Sequence, residues 1–224
     1  MKLYTHPIST TCRPIMMFAA EQGIPLDMQV VDLFTGEHTK APYGAINPNH
    51  LIPVLEDGDF QLTESSAIMQ YLAEKAGSPL YPKDLQQRAR VNERMDWINT
   101  QLGREFCYGV VYPQIFPHHK RRSAEAQEAT LQWGKEHAQR WLKVLDENIL
   151  GPGNNYLCGD SLTIADFYGA AFLTLGEVVG CRFSDYPNVQ RWLGRMKALK
   201  SWKQVNETLD GVVAANKDKS FVSI

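Results

Sequence analysis

The sequence predicts a two-part molecule, a small α/β layer followed by an all-helical unit. Three observations predict it. Over the first 75 residues, short strand-like runs alternate with helical periodicity. From residue 84 onward the apolar spacing is helical throughout. Charge also divides the chain: residues 1–82 hold 4 Lys and Arg against 9 Asp and Glu, whereas the remainder holds 19 against 16. The break falls in Ala76-Gly-Ser-Pro-Leu-Tyr-Pro82, a Gly- and Pro-bearing stretch after a helix. The domains are therefore expected at 1–78 and 83–224, joined by 79–82.

The elements follow in order. Lys2–Thr5 reads as a short strand. Cys12–Gln22 reads as a helix, with Thr10 or Thr11 as its cap and Gly23 as its stop. Met28–Val31 is a second strand. Pro53–Glu56 and Phe60–Leu62 flank Asp57-Gly58-Asp59, a hairpin signal. Glu64–Lys75 returns to helix, with Ala67, Ile68, Tyr71 and Leu72 on one stripe. Such an order is a layer built on a βαβ unit. In the second part, helices are expected over Asp84–Leu102, Ala124–Asn148, Thr163–Gly176 and Val189–Val205. Thr163-Ile-Ala-Asp166 has the form of a capping box and is read as a folding element. Trp133, Trp141, Trp192 and Trp202 are read as packing residues. The run His118-His-Lys-Arg-Arg122 is read as a solvated helix connection. The spacing leaves the role of Asp210–Ile224 open.

Composition excludes several classes. The 224 residues are 44% hydrophobic and 21% charged, with a formal charge of −2, so neither disorder nor a basic nucleic-acid surface is expected. Apolar runs stop far short of the roughly 20 residues that span a bilayer. The amino terminus lacks the apolar stretch of a signal peptide, and a soluble cytoplasmic protein is expected. Cys12, Cys107, Cys158 and Cys181 are isolated, so reduced thiols and no zinc ribbon are expected. The six histidines have no metal-ligand spacing, and no metal is expected.

Three segments carry chemistry. Pro7-Ile-Ser-Thr-Thr-Cys-Arg13 joins the first strand to the first helix, where ligands gather in open α/β sheets and free helix amides favour an anion. Ser9, Thr10 and Thr11 there are caps or ligand donors, and Cys12 is a packed thiol or a nucleophile. Asn47-Pro-Asn-His-Leu-Ile-Pro-Val-Leu55 presents an Ile52-Pro53 bond that either isomer would fit. Leu62-Thr-Glu-Ser-Ser-Ala67 offers Glu64 and Ser65 as a helix cap or as partners of an ammonium group. Tyr108, Tyr112 and Phe116 recur every four residues, as core or as one wall of a site, on a helix that Pro113 would bend.

Together with Arg88-Ala-Arg-Val91 and Leu162-Thr-Ile-Ala-Asp166, these segments make the sequence resemble a cytosolic glutathione transferase over nearly its whole length. Its Ser9-Thr-Thr-Cys-Arg13 segment is similar to the serine-type delta and theta groups. The resemblance implies a thioredoxin-like βαβ-ββα domain followed by an all-helical C-terminal domain, and a homodimer. It implies that Ser9 hydrogen-bonds the glutathione sulfur. His38 and His50 would lie near the glycine carboxylate, and the Ile52 backbone would pair with the cysteinyl part before a cis Pro53. Glu64 and Ser65 would hold the γ-glutamyl end. Ser66 stands where delta enzymes often have Arg, and Leu51 where many theta enzymes have Lys. Tyr108, Tyr112 and Phe116 would form the electrophile site. The implied reaction is attack of glutathione thiolate on small hydrophobic electrophiles, including halide displacement. Two other functions remain open: a thiol transferase using Cys12, and a non-catalytic binding protein on the same fold.

Overall fold

The computed structural model describes residues 1–224 and begins with β1 (Lys2–Thr5), whose alternate side chains Leu3 and Thr5 are buried. Helix α1 (Arg13–Gln22) leads to β2 (Asp27–Val30), which pairs parallel to β1 with Leu3 opposite Met28. Gly23 ends α1 in the left-handed region, φ +66°, as its role as a stop requires. The link then holds α2 (Ala41–Ile46), a short helix with no sequence signal strong enough to foresee. Strands β3 (Val54–Asp57) and β4 (Phe60–Leu62) complete an antiparallel hairpin around Gly58 and Asp59. Sheet order is β2-β1-β3-β4, and α3 (Ser65–Lys75) closes the thioredoxin-like layer.

The second unit is helical, with corrections at four places. Helix α4 (Leu85–Trp97), capped by Asp84 on Gln87 N at 2.9 Å, does not end at Leu102. Wide π turns carry the chain through Ile98–Leu102 and Arg104–Val111 into α5 (Tyr112–Ile115), one long rod. Helix α6 (Ala124–Val144) crosses that rod where Gly109 meets Gly134: a Cβ on Gly134 would sit 2.5 Å from the Gly109 carbonyl carbon. Only glycine permits such a backbone contact.

Helix α7 (Ile164–Thr174) is buried along its whole length. The Asp166 carboxylate reaches back to Thr163 N at 2.8 Å and also accepts from Leu157 N and Trp192 Nε1, while burial pushes its pKa to about 6. The expected helix Val189–Val205 is two helices, α8 (Pro187–Lys197) and α9 (Lys200–Asn216), separated at Ala198 and Leu199. Helix α9 thus takes in part of the stretch left open from Asp210. Trp141 is half-buried against Trp97, and Trp192 and Trp202 are buried, but Trp133 is 60% exposed and stacks on His137 at 3.9 Å. A tryptophan at helical spacing on α6 simply falls on its outer face.

One apolar core runs through both units, with α1 packed on α7 and α9 and Phe18 edge-on to Phe167 at 6.0 Å. No helix is long and apolar enough to cross a membrane.

Candidate functional site

A cleft of about 760 Å³ opens between the two units, beyond the carboxyl end of β1. That size suits a drug-sized ligand. Its floor is the entry to α1. Cys12 N–H donates to the Ser9 hydroxyl at 3.3 Å, and Ser9 Oγ lies 3.2 Å from Thr11 Oγ1. The Thr11 hydroxyl in turn donates to the Ile52 carbonyl at 3.2 Å. Neither threonine caps α1. Thr10 is buried and accepts from the Tyr112 hydroxyl at 3.0 Å, which ties the first unit to the second. The residue that meets the first helix amides is Ser9, four positions before the helix begins.

Cys12 is fully buried, and burial pushes its thiol pKa up. A helix start by itself favours the thiolate. Here the thiol is desolvated and does not line the cleft, which favours the packed reading of Cys12 over the nucleophile.

One wall is the turn before β3. The Ile52–Pro53 peptide is cis. Asn47 Nδ2 and Tyr43 Oη donate to the Leu51 carbonyl at 2.7 and 2.8 Å, which braces that turn. His38 lines the cleft with a buried, unpartnered Nδ1, and burial together with nearby His118 lowers its pKa. His50 does not line the cleft. Its ring lies over Gly44, and its Nδ1 is 2.9 Å from the His38 carbonyl. It holds the His38 backbone from behind.

The opposite edge is the entry to α3. Glu64, at φ +65°, leaves its side chain exposed on the cleft wall and makes no capping bond. Ser65 is buried, its hydroxyl 3.2 Å from that of Tyr168 on α7.

The helical unit supplies an aromatic wall. Tyr108 and Tyr112 meet edge-on at 4.7 Å and Tyr112 and Phe116 at 5.4 Å, and all three line the cleft. Burial raises the pKa of both tyrosines, and the Tyr112 hydroxyl is the one that donates, to Thr10. His118 and His119, read from sequence as part of a solvated connection, also line it, with His119 5.1 Å from the Tyr112 ring. Charge patterning hid them, because Lys120 beyond them is exposed and off the cleft. Phe34, Asn99 and Tyr168 are among the further lining residues that sequence reasoning did not find. The arrangement offers a hydroxyl and helix amides for an anion, a carboxylate nearby, and an apolar bay beside them.

Comparison with known proteins adds to this geometry. Residues 8–75 match the family model for the glutathione S-transferase N-terminal domain, and residues 106–200 match the C-terminal one. Human glutathione S-transferase theta-1 is 33% identical over 201 residues, covering 88% of this chain and 82% of that protein. The structure of human glutathione transferase theta-2 in complex with glutathione superposes with a TM-score of 0.82 at 29% identity, over all of this chain and 93% of the other. A delta-class glutathione transferase of Nilaparvata lugens gives 0.79 at 31%, over 96% and 98% of the two chains.

Proposed function

Because this chain belongs to the glutathione S-transferase family, with relatives of theta and delta type, we propose that Ser9 activates the glutathione thiol in this transferase. The observation that carries the reading is the position of the Ser9 hydroxyl, on the cleft floor before the amino end of α1. Its oxygen already accepts from Cys12 N–H, and Thr11 spends its own hydrogen on Ile52. The Ser9 hydrogen is not needed by any backbone group, and it can turn from Thr11 to a bound sulfur.

A free thiol of pKa about 8.5 is only a few per cent thiolate at neutral pH, and lowering it by about two units requires roughly 2.7 kcal/mol. A charge-assisted hydrogen bond of about 1.5–3 kcal/mol, together with the helix amides, is sufficient. No covalent intermediate forms on the enzyme. The sulfur attacks the electrophilic carbon held against Tyr108, Tyr112 and Phe116, and the displaced group departs with the bonding pair. Glu64 is the partner for the γ-glutamyl ammonium, beside Ser65. His38 faces the glycine carboxylate, with His50 behind it, and Ile52 supplies backbone groups next to Pro53. Small hydrophobic electrophiles are the co-substrates.

Rate against pH tests the assignment. In Ser9→Ala the apparent pKa of bound thiol should rise by about one to two units, and the rate at neutral pH should fall about ten- to a hundredfold. The loss should be recovered at high pH, where thiolate forms unaided. Cys12→Ala should leave the profile in place. A mild Ser9→Ala beside a dead Cys12→Ala reverses the assignment in favour of thiol transfer.

The enzyme is proposed to work in the cytosol as a two-fold homodimer. Residues 1–82 net −5 and residues 83–224 net +3, so antiparallel pairing opposes unlike charge, and Leu51 and Phe60 are left 60% and 48% exposed on the first unit. Light scattering at micromolar concentration should give twice the chain mass, and a monomeric mass would refute it.

A further inference from the structure

The cleft holds no permanent cation. None of its lining residues is Lys or Arg, and its single carboxylate is Glu64. The lining side chains able to carry positive charge are His38, His118 and His119. Glutathione has two carboxylates for its one ammonium. With the ammonium at Glu64 and the sulfur before α1, its glycine carboxylate has no charged partner unless a histidine is protonated.

The histidines come from both units. His38 sits in the 3₁₀ turn Glu37–Thr39, and its buried Nδ1 has no partner. His118 belongs to the turn Pro117–His119 of the helical unit, exposed, with its ring 5.7 Å from Phe116. Burial and the repulsion of His118 and His50 lower the pKa of His38, and no carboxylate of the protein offsets them.

The other titratable groups around the pair are committed elsewhere. His50 is fixed behind His38 on its carbonyl, and the Glu37 carboxylate accepts from Asp32 N at 2.7 Å. Lys40, Lys120 and Arg121 are exposed and outside the lining. His119 lies 5.4 Å from Tyr108 and 5.1 Å from Tyr112, as part of the aromatic wall. Burial, His118 and Arg121 all oppose a charge on it. An entering carboxylate is therefore the first anion His38 and His118 meet, and it favours the protonated form.

We propose that His118 is a glutathione-binding residue supplied by the helical unit. It and His38 take up a proton from solvent as the glycine carboxylate enters, and hold that carboxylate between them. This rests on the placement of glutathione given above, and it makes binding proton-coupled independently of the thiol.

The probe is S-methylglutathione, which has no thiol to ionise. More protons are bound in the complex than in the free protein, so affinity should fall as pH rises. Its Kd should increase at least about fivefold between about pH 6.5 and pH 8.0. Calorimetry in buffers of different ionisation enthalpy should register proton uptake. The glycine ethyl ester of the probe should bind without uptake. His118→Gln should weaken binding at least about fivefold at the lower pH and flatten the profile. His118→Lys supplies a fixed charge, and should flatten the profile while binding at the higher pH at least as tightly as the parent. Melting curves verify that these surface variants fold. Intact binding with no proton uptake, uptake undiminished with the ester, or a parental pH profile in His118→Gln would overturn the inference alone. No binding of S-methylglutathione by the parent would remove the glutathione placement, and the inference with it.

Discussion

Glu64 holds φ +65° and ψ +113° at the entry to α3, a conformation that costs a non-glycine residue on the order of 1–3 kcal/mol. Nothing local offsets the cost, because its side chain caps no amide and stands exposed on the cleft. The strain fits the role proposed for the carboxylate, and two substitutions separate fold from function. Glu64→Gly relaxes the backbone and should raise the melting point, whereas Glu64→Ala keeps the strained conformation. Both lose the proposed partner of the γ-glutamyl ammonium, so both should raise the glutathione KM about thirtyfold, the lower end for a truncated charge pair, and leave the electrophile KM unchanged. A Gly variant with parental glutathione KM would remove Glu64 from the site. At this scale the sequence is informative about residue types and poor on orientation. Ser9, Glu64 and the aromatic triplet all reach the cleft, but His50 turns away because its φ of +56° and the open face of Gly44 aim the ring backward. Neither feature leaves a mark in the spacing.

Contacts distant in sequence set the elements whose bounds differ from expectation. Nothing in Gly194-Arg-Met-Lys-Ala-Leu-Lys200 signals a break between helices, as Ala198 and Leu199 are good helix formers. The chain breaks there because Ser201 N, in the first turn of α9, is met by the Glu21 carboxylate of α1 at 3.1 Å, across 180 positions. Gly103 misleads for a related reason. It has the look of a stop, yet it continues the α4–α5 rod and makes room for Phe172, whose ring would lie 2.5 Å from a Cβ. The hairpin and α1 are legible because their signals, Asp-Gly-Asp and a terminal glycine, are local. The Gly109–Gly134 crossing gives the prediction at this scale. Gly134→Ala should favour α6 in isolation, but its methyl collides with the Gly109 backbone, and overpacking costs about 1–3 kcal/mol. The melting point should fall. Since the displaced rod carries Tyr108 and Tyr112, the electrophile KM should rise while that for glutathione holds. A variant more stable than the parent would show that the two helices can separate freely.

The cleft exists only while the two units keep their relative position, and Arg13 spans the joint between them. It is fully buried at the start of α1 and donates to Thr174 Oγ1, to Asn206 Oδ1 and to the Ala171 carbonyl, all in the helical unit. Its Nε finds no partner, no carboxylate touches it, and burial draws its pKa down to about 10. A cation is thus held in the core by neutral acceptors alone, and the planar fork lets one side chain serve all three. Arg13→Met removes the cost of burying charge but orphans the acceptors, at about 1–3 kcal/mol for each one left without water. Arg13→Lys keeps the buried charge and loses most of the bonds, so it should destabilise at least as much as Arg13→Met. Both should lower the denaturant midpoint, with little dependence on salt because the site is dry. Both should also raise KM for glutathione and electrophile together, since the two walls belong to different units. That joint rise distinguishes Arg13 from Glu64 and from Gly134, each of which acts on one wall. If Arg13→Lys matches the parent in stability and in both constants, charge alone suffices at this joint and the fork geometry does not hold the units in register.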